Sequence, residues 1–286
     1  MPNKDESPQL IDIREDNLLA LSVEVLDTLL RDHTTGRNIF WATHDYEALG
    51  PEYTYHSEIL PHLITGDHGM VIRPRVLKTK EEQTDRAKDM AEVFTPSWVC
   101  NAQNNLVDEA WWAKEGKTWE DYVRSTRLEI TCGEAPYLVS RYDTTTGESI
   151  ALRNRIGLLD RKLRAVSENV TDECEWLKWA QVAYQNTYGY EWQGDNLLLA
   201  RRGLLFTFIE YYHAKFSKLP SLESIRSIAD IISWNLWQMD GLKGVPPHSP
   251  APGDLLDNPV PDMFTTYCQI RDWESGKTIR FIDLIK

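Results

Sequence analysis

The chain has 286 residues, enough for two domains or for one large domain with an extension. Its hydrophobic content of 42% and charged content of 26% exclude a disordered chain, and no stretch approaches the ~20 apolar residues of a membrane-spanning helix. The net charge of −13 repels phosphate, so DNA binding requires a local basic groove or a basic partner subunit.

The N-terminus and the metal-ligating residue types exclude two further classes. Residues 1–8 are polar and acidic, unlike a secretory signal peptide, so we expect a cytoplasmic protein with no membrane partner. The four cysteines and seven histidines are dispersed, with no CxxC, HxH or HExxH pattern. No metal site is therefore predicted.

Residues 1–88 are predicted to form a mainly helical N-terminal extension. Apolar residues recur at helical spacing over residues 9–32, and residues 38–43 indicate a short strand or a buried turn. A strand-like run follows at residues 71–76, and the strongly charged residues 78–90 indicate a solvated helix or arm.

The next helix is predicted to begin at Pro96, with Thr95 as its cap. Proline suits the first turn of a helix, and a threonine hydroxyl accepts hydrogen bonds from the free N–H groups there. The helical spacing predicts a buried stripe made of Val99, Ala102, Leu106 and Ala110.

From residue 126 onward, strands and helices alternate in the order of a doubly wound α/β domain. The predicted elements are a strand at 126–130, helices at 156–168 and 174–185, a strand at 187–192, a helix at 196–215, a helix and a strand within 225–237, and a hairpin within 266–284. We therefore predict that residues 89–286 form a Rossmann-like domain, with helices on both faces of a parallel sheet and a β-hairpin at its end.

Three predicted strand ends carry groups suited to a nucleoside cofactor, because ligands bind at the carboxyl ends of parallel strands. Glu129 can accept hydrogen bonds from a cationic amino acid moiety, and Gly133 lets the backbone approach a ligand closely. Glu191 can bind both hydroxyls of a ribose, and Trp192 beside it can cover an adenine. Asp240 can bind the adenine amine. Each strand end alone is also compatible with an ordinary turn, but the order and placement of the three favour a cofactor site.

Four segments resemble motifs of the class I, S-adenosylmethionine-dependent DNA adenine methyltransferases. These include the modification subunits of restriction systems and bacterial proteins called restriction endonuclease subunit M. Phe94-Thr95-Pro96-Ser97-Trp98-Val99 resembles the F/Y-T-P-x-x-V segment, and residues 128–136 resemble the first motif, an acid followed by Gly-x-Gly. Residues 188–196 and 232–240 resemble the second and third motifs. The resemblance covers roughly residues 90–245.

The resemblance implies S-adenosylmethionine as cofactor and methyl transfer to a DNA base amine, adenine N6 foremost, in a restriction-modification or phage-defence system. DNA is then reached through a local basic groove or through a specificity or restriction subunit. The residues that the resemblance assigns to the cofactor are Phe94, Thr95, Pro96, Glu129, Thr131, Cys132, Gly133, Glu134, Ala135, Pro136, Glu191, Trp192, Asp240 and Gly241.

The sequence departs from the family in three places, of which the catalytic motif is the most serious. Ala135 replaces the second glycine of the first motif, and residues 137–186 contain an insertion. The family holds the target amine with an Asn/Asp/Ser-Pro-Pro-Tyr/Phe loop, and no such tetrapeptide occurs here. The nearest string gives Asp257, Asn258 and Pro259 as catalytic candidates, although a coincidental loop is favoured there, and residues 270–273 offer an acid beside an aromatic. Three alternatives stay open: a catalytically silent cofactor-binding subunit, a methyltransferase for a small molecule or protein, and an acidic DNA mimic that inhibits restriction.

Overall fold

The computed structural model describes residues 22–89, 95–250 and 265–284. Within those ranges the chain is an α/β protein with eight α-helices, a three-stranded parallel sheet and a two-stranded antiparallel hairpin. The predicted α/β class is therefore confirmed, with a small sheet. No helix in these ranges is long and apolar enough to cross a bilayer.

In residues 22–89, the N-terminal region contains two α-helices, and 3₁₀ turns and loops connect them. Helix α1 (Val23–Leu30) begins at Ser22, whose hydroxyl accepts a hydrogen bond from the Glu24 N–H at 3.2 Å. The charged segment forms helix α2 (Lys80–Asp89). The strand predicted at residues 71–76 is wrong, because the chain makes a 3₁₀ turn at Arg75–Leu77 immediately after Pro74, which has no N–H to donate to a strand ladder.

Helix α3 (Ser97–Trp112) begins next to Pro96 as predicted, but its cap and buried face differ from the prediction. The Asp143 carboxylate, not the Thr95 side chain, accepts the hydrogen bond from the Ser97 N–H, at 3.1 Å. Asn104 is buried because its amide donates to two backbone carbonyls, and Cys100 is buried one turn earlier. Three residues of the predicted stripe are therefore exposed, and the fourth is half-buried.

The parallel sheet contains strands β1 (Arg127–Glu129), β2 (Thr187–Glu191) and β3 (Leu236–Gln238), which lie side by side in chain order. Leu128 pairs with Tyr188, and Glu191 pairs with Gln238. The remaining helices are α4 (Trp119–Arg124), α5 (Leu158–Asn169), α6 (Glu173–Gln185), α7 (Gly194–Phe216) and α8 (Leu222–Asn235). The predicted terminal hairpin is confirmed as β4 (Gln269–Arg271) and β5 (Thr278–Arg280).

One apolar core joins the N-terminal region to the strands and helices that follow. It contains Leu26 and Trp41 from the first part of the chain and Trp176, Phe208 and Ile232 from later helices. The boundary at residues 88 and 89 stays a prediction, but the segments on its two sides share this core.

Arg201 on α7 connects two helix ends inside the core. It is fully buried, and its guanidinium donates to the carbonyls of Leu29 and Arg31 at the end of α1, at 2.7 and 2.9 Å. It also donates to the carbonyls of Ser233 and Leu236, at the end of α8. Burial lowers the pKa of Arg201 only to about 10, so the side chain stays charged at neutral pH. One buried cation thus satisfies carbonyls that helix ends leave unpaired.

We expect Arg201→Met to lower the free energy of unfolding by about 3 kcal/mol or more, because buried carbonyls lose their donor. Arg226→Met is the matched control: Arg226 also joins α8 to α1, through an exposed ion pair with Glu24 at 2.5 Å, and its loss should cost at most about 1 kcal/mol. Urea unfolding measures both variants. Equal destabilisation by the two substitutions would contradict the role given to Arg201.

Candidate functional site

A cavity opens where β1 and β2 end. Its volume is about 950 Å³, within the range of small-molecule sites. The predicted cofactor residues that line it are Thr95, Glu129, Thr131, Cys132, Gly133, Pro136, Glu191 and Trp192. The carboxyl ends of adjacent parallel strands therefore bring the first two predicted strand-end acids to one site.

Glu129 and Glu191 are both about nine-tenths buried, with 9% and 8% of their surfaces exposed. Glu129 accepts hydrogen bonds from the N–H groups of Tyr137 and Leu138, at 3.3 and 3.2 Å. Glu191 accepts one from the Gly133 N–H at 2.8 Å, which connects the turn after β1 to the end of β2. Backbone N–H groups thus hold each carboxylate in place.

Burial is the dominant influence on both carboxyl groups. It raises the pKa of Glu129 well above its usual range, against the opposing effect of its two backbone hydrogen bonds and with a further rise from Glu191. Burial likewise raises the pKa of Glu191. Within the described ranges, no lysine, arginine or histidine forms an ion pair with either side chain. The cavity therefore favours a ligand that brings positive charge or hydroxyl donors.

The turn that follows β1 has an unusual backbone. Thr131, Gly133 and Ala135 all have positive φ, at 46°, 54° and 59°. Such angles suit glycine but are uncommon for alanine and rarer for β-branched threonine, and strain of this kind clusters at binding sites. The conformation directs the Gly133 N–H to Glu191 and leaves Thr131 exposed at the cavity rim.

Part of the cavity lining comes from the N-terminal region, which the sequence motifs do not cover. His44 and Tyr55 line the cavity together with Trp192. Their segment is attached to the sheet by the Gln238 amide, which pairs with both the N–H and the carbonyl of Phe40, each at 2.9 Å.

Gly194 at the start of α7 also makes this attachment possible. Its N–H donates to the Trp41 carbonyl at 3.1 Å, and a Cβ at this glycine would lie 2.0 Å from the Phe40 carbonyl oxygen. Only glycine permits this close approach, and no spacing pattern in the sequence predicted the contact.

Several predicted cofactor residues do not line the cavity. Glu134 turns away from it and accepts hydrogen bonds from the Arg75 N–H and the Tyr142 hydroxyl, and Ala135 is part of the apolar core. Asp240 accepts hydrogen bonds from the N–H groups of Leu242 and Lys243 within its own turn, at 2.9 and 3.1 Å. The structure therefore does not bring the third strand-end acid to Glu129 and Glu191.

The other predicted residues have different positions. Gly241 packs against Tyr190, where a Cβ would lie 2.5 Å from the ring, and Pro96 precedes the first residue of α3. Phe94 and the catalytic candidates Asp257, Asn258 and Pro259 lie outside the described residues.

The cavity contains a thiol but, in the described ranges, no metal centre. Burial raises the pKa of Cys132 well above its usual range, so its thiol is not a nucleophile at neutral pH. No group of three or more His, Cys, Asp or Glu in the described part of the chain is arranged to hold a metal ion.

Comparison of the chain with protein-family models, with curated proteins and with solved structures finds no match in any of the three.

The raised pKa of Glu129 predicts a specific pH dependence of stability. Because burial makes ionisation of Glu129 less favourable in the folded protein than in the unfolded chain, wild type should gain stability relative to Glu129→Gln as pH falls from about 8 to about 5, and lose that advantage as pH rises again. Urea unfolding at a series of pH values measures the difference between the two proteins.

Glu210→Gln provides a control of opposite sign. Burial opposes ionisation of Glu210, but Arg141 and Arg155 lower its pKa overall, so the wild-type advantage over this variant should shrink in acid. A difference between wild type and Glu129→Gln that stays constant or shrinks towards pH 5 would contradict the buried, unpaired state of Glu129.

Proposed function

We propose that the chain binds S-adenosylmethionine in this cavity and transfers its methyl group to an amine of a DNA base, adenine N6 foremost. One observation carries the proposal: two buried carboxylates without cationic partners in the described ranges line one cavity at the ends of adjacent parallel strands. S-adenosylmethionine carries an ammonium, a sulfonium and a ribose diol. These groups complement the two carboxylates in charge and in hydrogen bonding.

Each cavity residue has a role in this proposal. Glu129 binds the ammonium group, and Glu191 accepts hydrogen bonds from the ribose hydroxyls. Gly133 lets the ligand approach the turn after β1, and Trp192 covers the adenine. The three-stranded parallel sheet is then the first half of a Rossmann-like methyltransferase sheet.

The bound cofactor supplies an activated methyl group on a sulfonium that is already a good leaving group. The protein's share of the work is positioning, because holding the acceptor amine in line with the methyl group provides most of the rate. DNA would reach the site through a partner subunit or a local basic groove, since the chain has a net charge of −13.

A catalytically silent cofactor-binding subunit is the second candidate. The lack of an Asn/Asp/Ser-Pro-Pro-Tyr/Phe tetrapeptide anywhere in the sequence favours it. Such a subunit retains the cavity and acts within a larger restriction or phage-defence complex.

We expect Glu191→Gln to weaken S-adenosylmethionine binding by at least about tenfold, because hydrogen bonds to a charged carboxylate contribute about 1.5–3 kcal/mol. Asp160→Asn is the matched control: Asp160 is also buried, accepts from the Ser140 N–H at 2.8 Å and does not line the cavity. Isothermal titration measures both. Unchanged affinity in Glu191→Gln would remove the ribose contact from the proposal.

Transfer of labelled methyl groups to mixed DNA, with and without the products of neighbouring genes, tests the reaction itself. Label in DNA supports the methyltransferase. Cofactor binding without transfer in either condition supports the silent subunit, and no heat of binding with the cofactor contradicts both.

A further inference from the structure

Three aromatic rings from two distant segments form one wall of the cavity. The Trp192 indole N–H donates to the Tyr55 hydroxyl at 3.1 Å, so the two side chains adjoin edge to edge. The His44 ring stacks on Tyr55 with centroids 4.9 Å apart and an interplanar angle of 22°. All three residues line the cavity, and Tyr55 and Trp192 are only half-buried. We call His44, Tyr55 and Trp192 the aromatic wall.

The aromatic wall is held in place by contacts outside the cavity. The Glu47 carboxylate contacts His44 Nδ1 at 2.7 Å and accepts from the Tyr55 backbone N–H at 3.2 Å, so one acid contacts both residues. The Ala42 N–H donates to the Tyr55 carbonyl at 3.1 Å, which joins the wall to the segment that Gln238 attaches to the sheet.

The wall stands immediately beside the end of β2. Trp192 follows Glu191 in the chain, and its N–H donates to the Glu191 carboxylate at 2.9 Å. If Glu191 binds a ribose, the base joined to that ribose lies within a few ångströms of the carboxylate. The aromatic wall is one of the surfaces available to it.

We propose that the aromatic wall binds the heteroaromatic base of the nucleoside ligand, so that His44 and Tyr55 of the N-terminal region complete the site with Trp192. This inference rests on the proposed function. Flat aromatic surfaces favour planar bases, and stacking of one base on a side chain is worth a 5- to 150-fold change in affinity when that side chain is replaced by alanine, about 1–3 kcal/mol. The proposal also assigns a ligand-binding role to the N-terminal region, which its sequence does not indicate.

Isothermal titration of the full chain with adenosine, L-methionine and S-adenosylmethionine tests the wall. Tyr55→Ala should weaken the binding of adenosine and S-adenosylmethionine by about 10- to 100-fold and leave the affinity for methionine unchanged. Tyr55→Phe keeps the ring, so its affinities should stay within about threefold of wild type. Trp112→Ala is the control: Trp112 is also a half-exposed tryptophan, stacked on Tyr122 and outside this cavity. It should bind all three ligands like wild type.

A second test uses the wild-type protein and so does not depend on whether Tyr55→Ala folds. Adenosine should shift the ring-proton NMR resonances of Tyr55 upfield and leave those of Tyr122 unmoved. Unmoved Tyr55 resonances at saturating adenosine would overturn the inference.

The remaining outcomes separate this inference from the proposed function. If the wild-type protein shows no heat of binding with S-adenosylmethionine, the proposed function is wrong. If folded Tyr55→Ala binds adenosine and S-adenosylmethionine as tightly as wild type, only the inference about the aromatic wall is wrong. If that variant instead loses only its binding of a mixed single-stranded oligonucleotide in the presence of S-adenosylmethionine, the ring belongs to the acceptor and the inference is overturned.

Discussion

Two carboxylates buried at the ends of neighbouring strands are the constraint on which the site depends. Removing a carboxylate from water costs several kcal/mol unless a cation or hydrogen-bond donors compensate it. Backbone N–H groups offset part of that cost for Glu129 and Glu191, and no cationic side chain in the described ranges offsets the rest. The raised pKa of each acid reflects the free-energy cost of burying the ionised group that these hydrogen bonds do not offset. A cationic, hydroxyl-bearing ligand would supply the missing partners.

The rest of the architecture serves to hold these acids and enclose them. With positive φ angles at Thr131 and Gly133, the turn after β1 directs the Gly133 N–H to Glu191, and the Gln238 amide attaches the N-terminal region to the sheet. Arg201 attaches the same region to α7 through the carbonyls at the end of α1. The cavity therefore depends on contacts between the N-terminal region and the sheet, although its acids come from two short strands.

The sequence predicted the parts of the site that local pattern controls. Glu129 and Glu191 were predictable because strands that alternate with helices form parallel sheets, and the carboxyl ends of parallel strands meet. Asp240 follows its strand in the same way, but its side chain satisfies the N–H groups of its own turn, as aspartate before glycine often does. The stripe predicted for α3 was wrong because Asn104 is buried through hydrogen bonds to distant carbonyls, which apolar spacing does not register. Tyr55 was missed because its position depends on Phe40 contacting Gln238, 198 residues away.

A crystal structure of the protein with S-adenosylmethionine tests the central claim most directly. The account predicts the ribose hydroxyls within hydrogen-bond distance of the Glu191 carboxylate and the ammonium group beside Glu129. A ligand bound elsewhere, with both carboxylates still facing only backbone N–H groups, would contradict it.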